Sequence, residues 1–270
     1  MYQTIVHENC LLSYRLIGSG KPVVLLHGFG EDSQIWNKQI DFLKDYCLLI
    51  VPDIPGSGKS EPLILNDRSA DSISLTDYAD CIYAILVTEK IDACILLGHS
   101  MGGYITLAFA EKYPSYLTAL GLIHSSALAD STDKKTMRQR GIELMEKFGA
   151  AAFLKNTIPN LFASNFKLLH PDMLETFIQS STTINTKTCQ NYYLAMMHRP
   201  DRTAILKNTV LPVLFVIGTD DIAAPMIDVL PQSKMPINSY IQILEAVGHM
   251  GMWEATEKLN TCLLNFICLQ

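Results

Sequence analysis

The sequence predicts an α/β protein, a mostly parallel sheet that opens with an antiparallel hairpin and is interrupted by a helical insertion. Three observations lead there. Short, unbroken apolar runs recur at Val23 to Leu26, Cys47 to Val51, Ala93 to Leu97, Leu117 to Ile123 and Val213 to Ile217. They lack the alternation of a half-exposed strand, which suits parallel strands covered on both faces. Segments with helical spacing lie between them, and strand–helix alternation is the pattern of a layered α/β sheet. The alternation then stops between about Ser126 and Leu206, where helical patterns appear without a convincing strand.

Each element has its own local reason. The opening stretch QTIVHENCLLSYRLIG reads as a hairpin turning near Glu8 and Asn9. Tyr78, Ile82, Ile85 and Leu86 form one helical stripe, opened by the capping-box pattern Ser74-x-x-Asp77. Inside the insertion, Met137, Leu144, Met145 and Phe148 mark a first helix. Pro171 opens a second, with Met173, Leu174, Phe177 and Ile178 on one side. Cys189, Tyr192, Tyr193, Met196 and Met197 mark a third, which must end before Pro200. Leu259, Cys262, Leu263, Phe266 and Ile267 form a last stripe near the C-terminus. A helical insertion in a parallel sheet is most simply a lid, so the expected organisation is a core of residues 1–128 and 206–270 with a helical cap at 129–205.

Composition narrows the function. The 270 residues are 49% hydrophobic and 18% charged, enough to bury a large core. A net charge of −6 argues against broad nucleic-acid binding. No apolar run approaches a membrane span, and MYQTIVHENCLL lacks the basic and apolar regions of a signal peptide. The seven cysteines are scattered and form no C-x-x-C pair, so neither a zinc site nor a redox motif is suggested. Buried free thiols in a reducing cytoplasm are expected instead. From Asp130 to Ile205 there are ten Lys and Arg against seven Asp and Glu, a local balance of +3 that leaves −9 for the rest.

The chemistry is concentrated at LLGHSMGGY, residues 96–104. Gly98-His99-Ser100-Met101-Gly102 fits G-x-S-x-G, in which a strand turns sharply into a helix and holds a serine hydroxyl exposed at the turn. Glycines flank the turn because Cβ atoms would clash where the chain doubles back. An apolar strand precedes Ser100 and a helical stretch follows it, so the context matches a nucleophile elbow. A serine needs a base and the base an orienting acid, and behind an elbow the chain order is serine, acid, histidine. Of seven histidines, His249 alone follows the last plausible strand, Tyr240 to Leu244, in a loop before a helix. The strand Pro212 to Ile217 ends in Gly218-Thr219-Asp220-Asp221, and spacing does not choose between the two aspartates. His124-Ser125-Ser126, after the preceding strand, offers no acid. The amides of Met101 and Phe29 are placed to form an oxyanion hole, with His27 bracing the Phe29 loop. The GSGKS ending of PDIPGSGKS imitates a phosphate loop, but Asp53 stands where the first glycine belongs and Pro55 interrupts the amide cradle.

With these pieces in order, the whole chain resembles the α/β-hydrolase superfamily, in its small single-chain, capped, serine esterase and lactonase-like group. LLHGFGEDSQIW, VPDIPGSGKS, LLGHSMGG, LFVIGTDDIAAP and AVGHMGMWE carry the resemblance. It implies an eight-stranded sheet with helices on both faces, a cap between the sixth and seventh strands, and Asp221 as the acid, Pro225 closing its block. Ser100 at the elbow departs from the aspartate and cysteine nucleophiles of some relatives.

The function expected is hydrolysis of carboxylic esters of small, largely apolar substrates through an acyl-enzyme on Ser100, without metal or cofactor. A pocket around His27, His124, Tyr192, Met196, Met250 and Met252 is expected to receive the substrate. Enol-lactonase or C–C bond hydrolase chemistry, perhydrolase activity and a slow-turnover ligand receptor use the same fold and triad. The partner expected is therefore a small ester or lactone.

Overall fold

A computed structural model describes residues 2–65, 72–181 and 183–270. Consecutive residues of each apolar run serve opposite faces of one sheet. Val24 and Leu26 belong to one hydrophobic core while Val23 and Leu25 belong to the other. Leu96 and Ile95, and Phe215 and Leu214, divide in the same way. The period of two is present, but both faces are covered, so hydropathy along the strand does not alternate.

The strands are β1 (Tyr2–His7), β2 (Cys10–Ile17), β3 (Pro22–Leu26), β4 (Leu48–Pro52), β5 (Cys94–His99), β6 (Leu117–Ile123), β7 (Val213–Gly218) and β8 (Ser239–Leu244). They form one sheet in the order β1-β2-β4-β3-β5-β6-β7-β8. β1 with β2 and β2 with β4 are antiparallel, and every later pairing is parallel. The hairpin turns at Glu8 and Asn9, whose φ values of 48° and 57° are those of a tight two-residue hairpin turn. β5 and β7 are buried at every position, as central strands should be.

The helices are α1 (Asn37–Leu43), α2 (Leu75–Thr88), α3 (Met101–Lys112), α4 (Thr132–Phe148), α5 (Ala150–Thr157), α6 (Ser164–Leu169), α7 (Pro171–Ser181), α8 (Thr186–Met197), α9 (Thr203–Asn208), α10 (Met226–Val229), α11 (Gly251–Glu254) and α12 (Thr256–Cys268). The core helices α2 and α3 contribute to one hydrophobic core, and α1 and α12 to the other. Ser74 caps α2 reciprocally, its hydroxyl 3.4 Å from the Asp77 amide and its own amide donating to the Asp77 carboxylate at 2.7 Å.

Between β6 and β7 the described residues form helices and no strand. α5 and α6 are too short to announce themselves by periodicity. α4 lies where its apolar spacing predicts, yet the expected stripe largely faces outward. Met137 is 62% exposed and Phe148 59%, whereas Met145 is wholly buried. Gly141 is the other buried residue of α4, and a Cβ there would meet the Tyr193 ring at 2.7 Å. The helix thus packs through a small residue that accommodates an aromatic ring.

Five of the seven cysteines are buried and all are free thiols. No helix among the described residues is long and apolar enough to cross a membrane. The PDIPGSGKS loop closes around a carboxylate. Asp53 accepts from the amides of Ser33 at 2.8 Å and Lys59 at 2.9 Å, and a Cβ on Gly58 would overlap it at 2.3 Å.

Candidate active site

Four of the sequence-predicted polar groups leave the sheet at the C-terminal ends of parallel strands, where α/β sheets keep their crevices. Ser100 follows β5, His124 follows β6, Asp221 lies three residues beyond β7, and His249 stands in the loop after β8.

Ser100 has φ 51° and ψ −116°, a left-handed-side conformation that costs a non-glycine residue energy. The surrounding chain imposes it. Ser100 N–H donates to the Ile123 carbonyl at 3.0 Å, and the Ser125 hydroxyl donates to the Ser100 carbonyl at 2.7 Å. The glycines are required by contact. A Cβ on Gly98 would lie 2.2 Å from the Gly102 carbonyl oxygen, and one on Gly102 would lie 2.7 Å from the carbonyl oxygens of Leu26 and His27. A Cβ on Gly103 would meet the Ser125 hydroxyl at 2.3 Å. The turn delivers Ser100 to the N-terminus of α3, where Met101 is the first residue. Neither the Met101 nor the Phe29 amide donates to another backbone carbonyl among the described residues.

His249 is fixed on three sides. Its Nδ1 lies 2.8 Å from Asp221 Oδ2, its amide donates to the Leu161 carbonyl at 2.7 Å, and its carbonyl accepts from His99 Nε2 at 2.9 Å. The loop around it is tied to Glu254, whose carboxylate accepts from the amides of Gly248 at 3.1 Å, Met250 at 3.0 Å and Ala163 at 2.9 Å. Asp221 accepts two further amides on its other oxygen, Ala223 and Ala224, each at 2.9 Å. His124 is a second histidine on this carboxylate, with Nδ1 3.1 Å from Oδ2.

Electrostatics follow the geometry. Burial pushes the Asp221 carboxyl up, but His249 and His124 outweigh it and hold the group well below the usual carboxylate range. Burial depresses His249, yet the Asp221 carboxylate beside it prevails and its pKa is raised. Burial alone dominates at His124, which is pushed down to about 4 despite Asp221. His124, Asp221 and His249 offer nitrogen and oxygen atoms within 4.8 Å of one another, the one such cluster among the described residues. Both Nδ1 atoms already face Asp221, so a metal ion would have to displace those hydrogen bonds.

Ser100 and His249 line one small cavity of about 110 Å³, together with Phe29, Tyr104, Tyr193 and Met196. The model of the alpha/beta hydrolase fold family matches residues 21–162 of the chain. This chain belongs to the alpha/beta hydrolase family. The hydrolase is 26% identical to 2-hydroxy-6-oxononadienedioate/2-hydroxy-6-oxononatrienedioate hydrolase from Burkholderia vietnamiensis, over 98% of this chain and 94% of that one. Its structure superposes on a thermophilic esterase from Thermogutta terrifontis, solved with malate bound, with a TM-score of 0.91 and 26% identity over 99% and 98% of the two chains. The enol-lactonase from Burkholderia xenovorans shares the fold, with a TM-score of 0.87 at 18% identity over 98% of this chain and all of that one.

Not every residue expected at the hydrolase's pocket lies there. Met196 lines the cavity. Tyr192 does not. It is fully buried and donates its hydroxyl to the Pro55 carbonyl at 2.7 Å, while Tyr193, one position on and about 100° around the helix, faces the cavity. Met250 and Met252 are wholly buried core residues. His124 is buried against Asp221 and does not line the cavity. His27 is also buried; its Nδ1 donates to the Gly28 carbonyl at 2.8 Å and its Nε2 accepts from the Ile54 amide at 2.9 Å, so it braces the loop that carries Phe29.

Sequence reasoning missed several members of the site, among them Tyr104, Leu161 and Ala223 on the cavity wall. Glu31 accepts from the Gly28 amide at 2.6 Å and faces His99 Nδ1 at 3.0 Å. Glu254, Tyr193 and Arg138 were missed as well. Only the positive balance of the insertion hinted at the last.

Proposed function

We propose that this hydrolase cleaves carboxylic esters of small substrates through an acyl-enzyme on Ser100. The observation that carries the reading is the 2.8 Å approach of His249 Nδ1 to Asp221 Oδ2, with Ser100 and His249 on the same cavity. In this reading the Ser100 hydroxyl oxygen attacks the ester carbonyl carbon as His249 Nε2 takes the proton. The amides of Phe29 and Met101 receive the oxyanion at the N-terminus of α3. The tetrahedral intermediate expels the alcohol oxygen, which takes the proton from His249. Water then attacks the acyl carbon, loses its proton to His249, and releases the acid while Ser100 recovers its own. Asp221 orients the imidazole and stabilises the imidazolium throughout. Residues 129–205 act as a lid over the cavity.

The test is a series of p-nitrophenyl esters from acetate upward, assayed with the wild type and Ser100→Ala. Multiple turnovers on short chains, reduced by about 10³-fold or more in a variant with unchanged circular dichroism, are expected. Substantial activity in Ser100→Ala would end the mechanism. The similarity to the Burkholderia vietnamiensis hydrolase favours a second reading, C–C bond hydrolysis with the same residues. It gains ground if generic esters give a single burst or nothing.

A further inference from the structure

One wall of the cavity is charged. Arg138, from α4, lines it beside Ser100, Tyr104 and Tyr193. Its Nε donates to Asp130 Oδ2 at 2.5 Å, and the other oxygen of Asp130 lies 2.8 Å from Nη1 of Arg199. One carboxylate therefore faces two guanidinium groups, and the trio carries one positive charge in excess. Arg199 is otherwise engaged. Its Nε donates to the Leu128 carbonyl at 3.1 Å, its Nη1 to the Met196 carbonyl at 2.8 Å, and its guanidinium covers the Tyr104 ring at 3.9 Å.

Arg138 has only the Nε contact among the described residues, so the outer edge of its fork is uncommitted. The guanidinium carbon sits 5.1 Å from the Tyr193 ring centroid, which orients the group without using its outer N–H donors. The carboxylate and the imidazole at the cavity are occupied elsewhere. Glu31 is held by the Gly28 amide and His99, and His249 is held by Asp221. A sheltered guanidinium whose paired donors lack an anion is costly, and a carboxylate is the planar partner that fits them.

We infer that this end of the cavity binds a carboxylate, and that the preferred substrates are esters bearing a free carboxylate near the scissile carbonyl. The inference rests on the reading of Ser100 as the nucleophile of an esterase. Arg138 is then a specificity-determining residue, and the positive balance of the insertion draws the same anions inward.

The experiment is titration of released acid, with methyl hydrogen succinate, glutarate and adipate each compared with the neutral methyl ester of matching chain length. The wild type is expected to favour at least one carboxylated ester in kcat/KM. Arg138→Gln should lower that preference roughly 10- to 100-fold, and Arg138→Lys should retain part of it. A wild-type preference for the neutral ester at every spacer length, or the same preference ratio in Arg138→Gln, overturns the inference. If Arg138→Gln does not fold, the wild-type ratio and Arg138→Lys decide. If the wild type hydrolyses neither ester, the esterase reading fails, and calorimetric binding of glutarate decides the subsite alone. Binding weakened at least about tenfold in Arg138→Gln supports it, whereas equal binding or none to the wild type overturns it.

Discussion

His124 Nδ1 donates to the same Asp221 oxygen, Oδ2, that His249 faces, at 3.1 Å against 2.8 Å. Because burial keeps His124 neutral down to about pH 4, this is a permanent uncharged donor. Its Nε2 is buried without a hydrogen-bond partner among the described residues, which a charged ring would tolerate least. The second histidine therefore fixes the Asp221 carboxylate and draws off part of its basicity.

His124→Phe should concentrate the Asp221 charge on His249 and raise the apparent pKa of kcat/KM, with a loss of kcat of about tenfold or less. Parallel pH profiles of variant and wild type measure it. Superimposable profiles would reduce His124 to packing.

The wild-type profile has its own sign. In the proposed mechanism His249 is a base only when deprotonated, and its pKa is raised from the ordinary 6.5 because Asp221 outweighs burial. Activity should therefore rise with pH through an apparent pKa above 6.5, later than for an unperturbed histidine. A profile flat from about pH 5 to 9 would remove histidine from the mechanism.

Gly98→Ala should damage the elbow outright. The added methyl would sit 2.2 Å from the backbone oxygen of Gly102, and neither partner is the end of a flexible side chain. A loss of about 3 kcal/mol or more is expected, read as a fall in Tm together with loss of ester turnover. A stable, active Gly98→Ala protein would mean that the turn has more room than these contacts allow.

Glu254→Ala should leave the amides of Ala163, Gly248 and Met250 without their shared acceptor. Stability should fall by about 2–4 kcal/mol, and kcat should fall further than Tm alone explains, because His249 stands between two of those amides. Denaturant melts and kcat on one ester separate the effects.

Much of the fold was legible because its signals are local. The unbroken apolar runs required strands covered on both faces, Ser74-x-x-Asp77 announced a helix start, and the glycines around Ser100 forced a turn. What stayed hidden depended on direction or distance. Helical spacing put both Tyr192 and Tyr193 on α8, but which of two neighbours faces the cavity depends on how the helix is rotated against the core. The stripe on α4 could not reveal that Gly141, rather than Phe148, makes the inward contact. His124 read as a pocket residue because nothing in its neighbours points to a carboxylate 97 positions away.

The Leu161 carbonyl that receives the His249 amide, and the Ala163 amide that shares Glu254 with it, both belong to the helical insertion. With His249 as the proposed base, this part of the insertion is its abutment, not a door. Any opening that lifted it would break two of the contacts that aim the imidazole, so the cavity would be admitting substrate and disarming itself in one movement. In the proposed mechanism, substrate that reaches an armed base passes elsewhere while the 161–163 stretch stays seated.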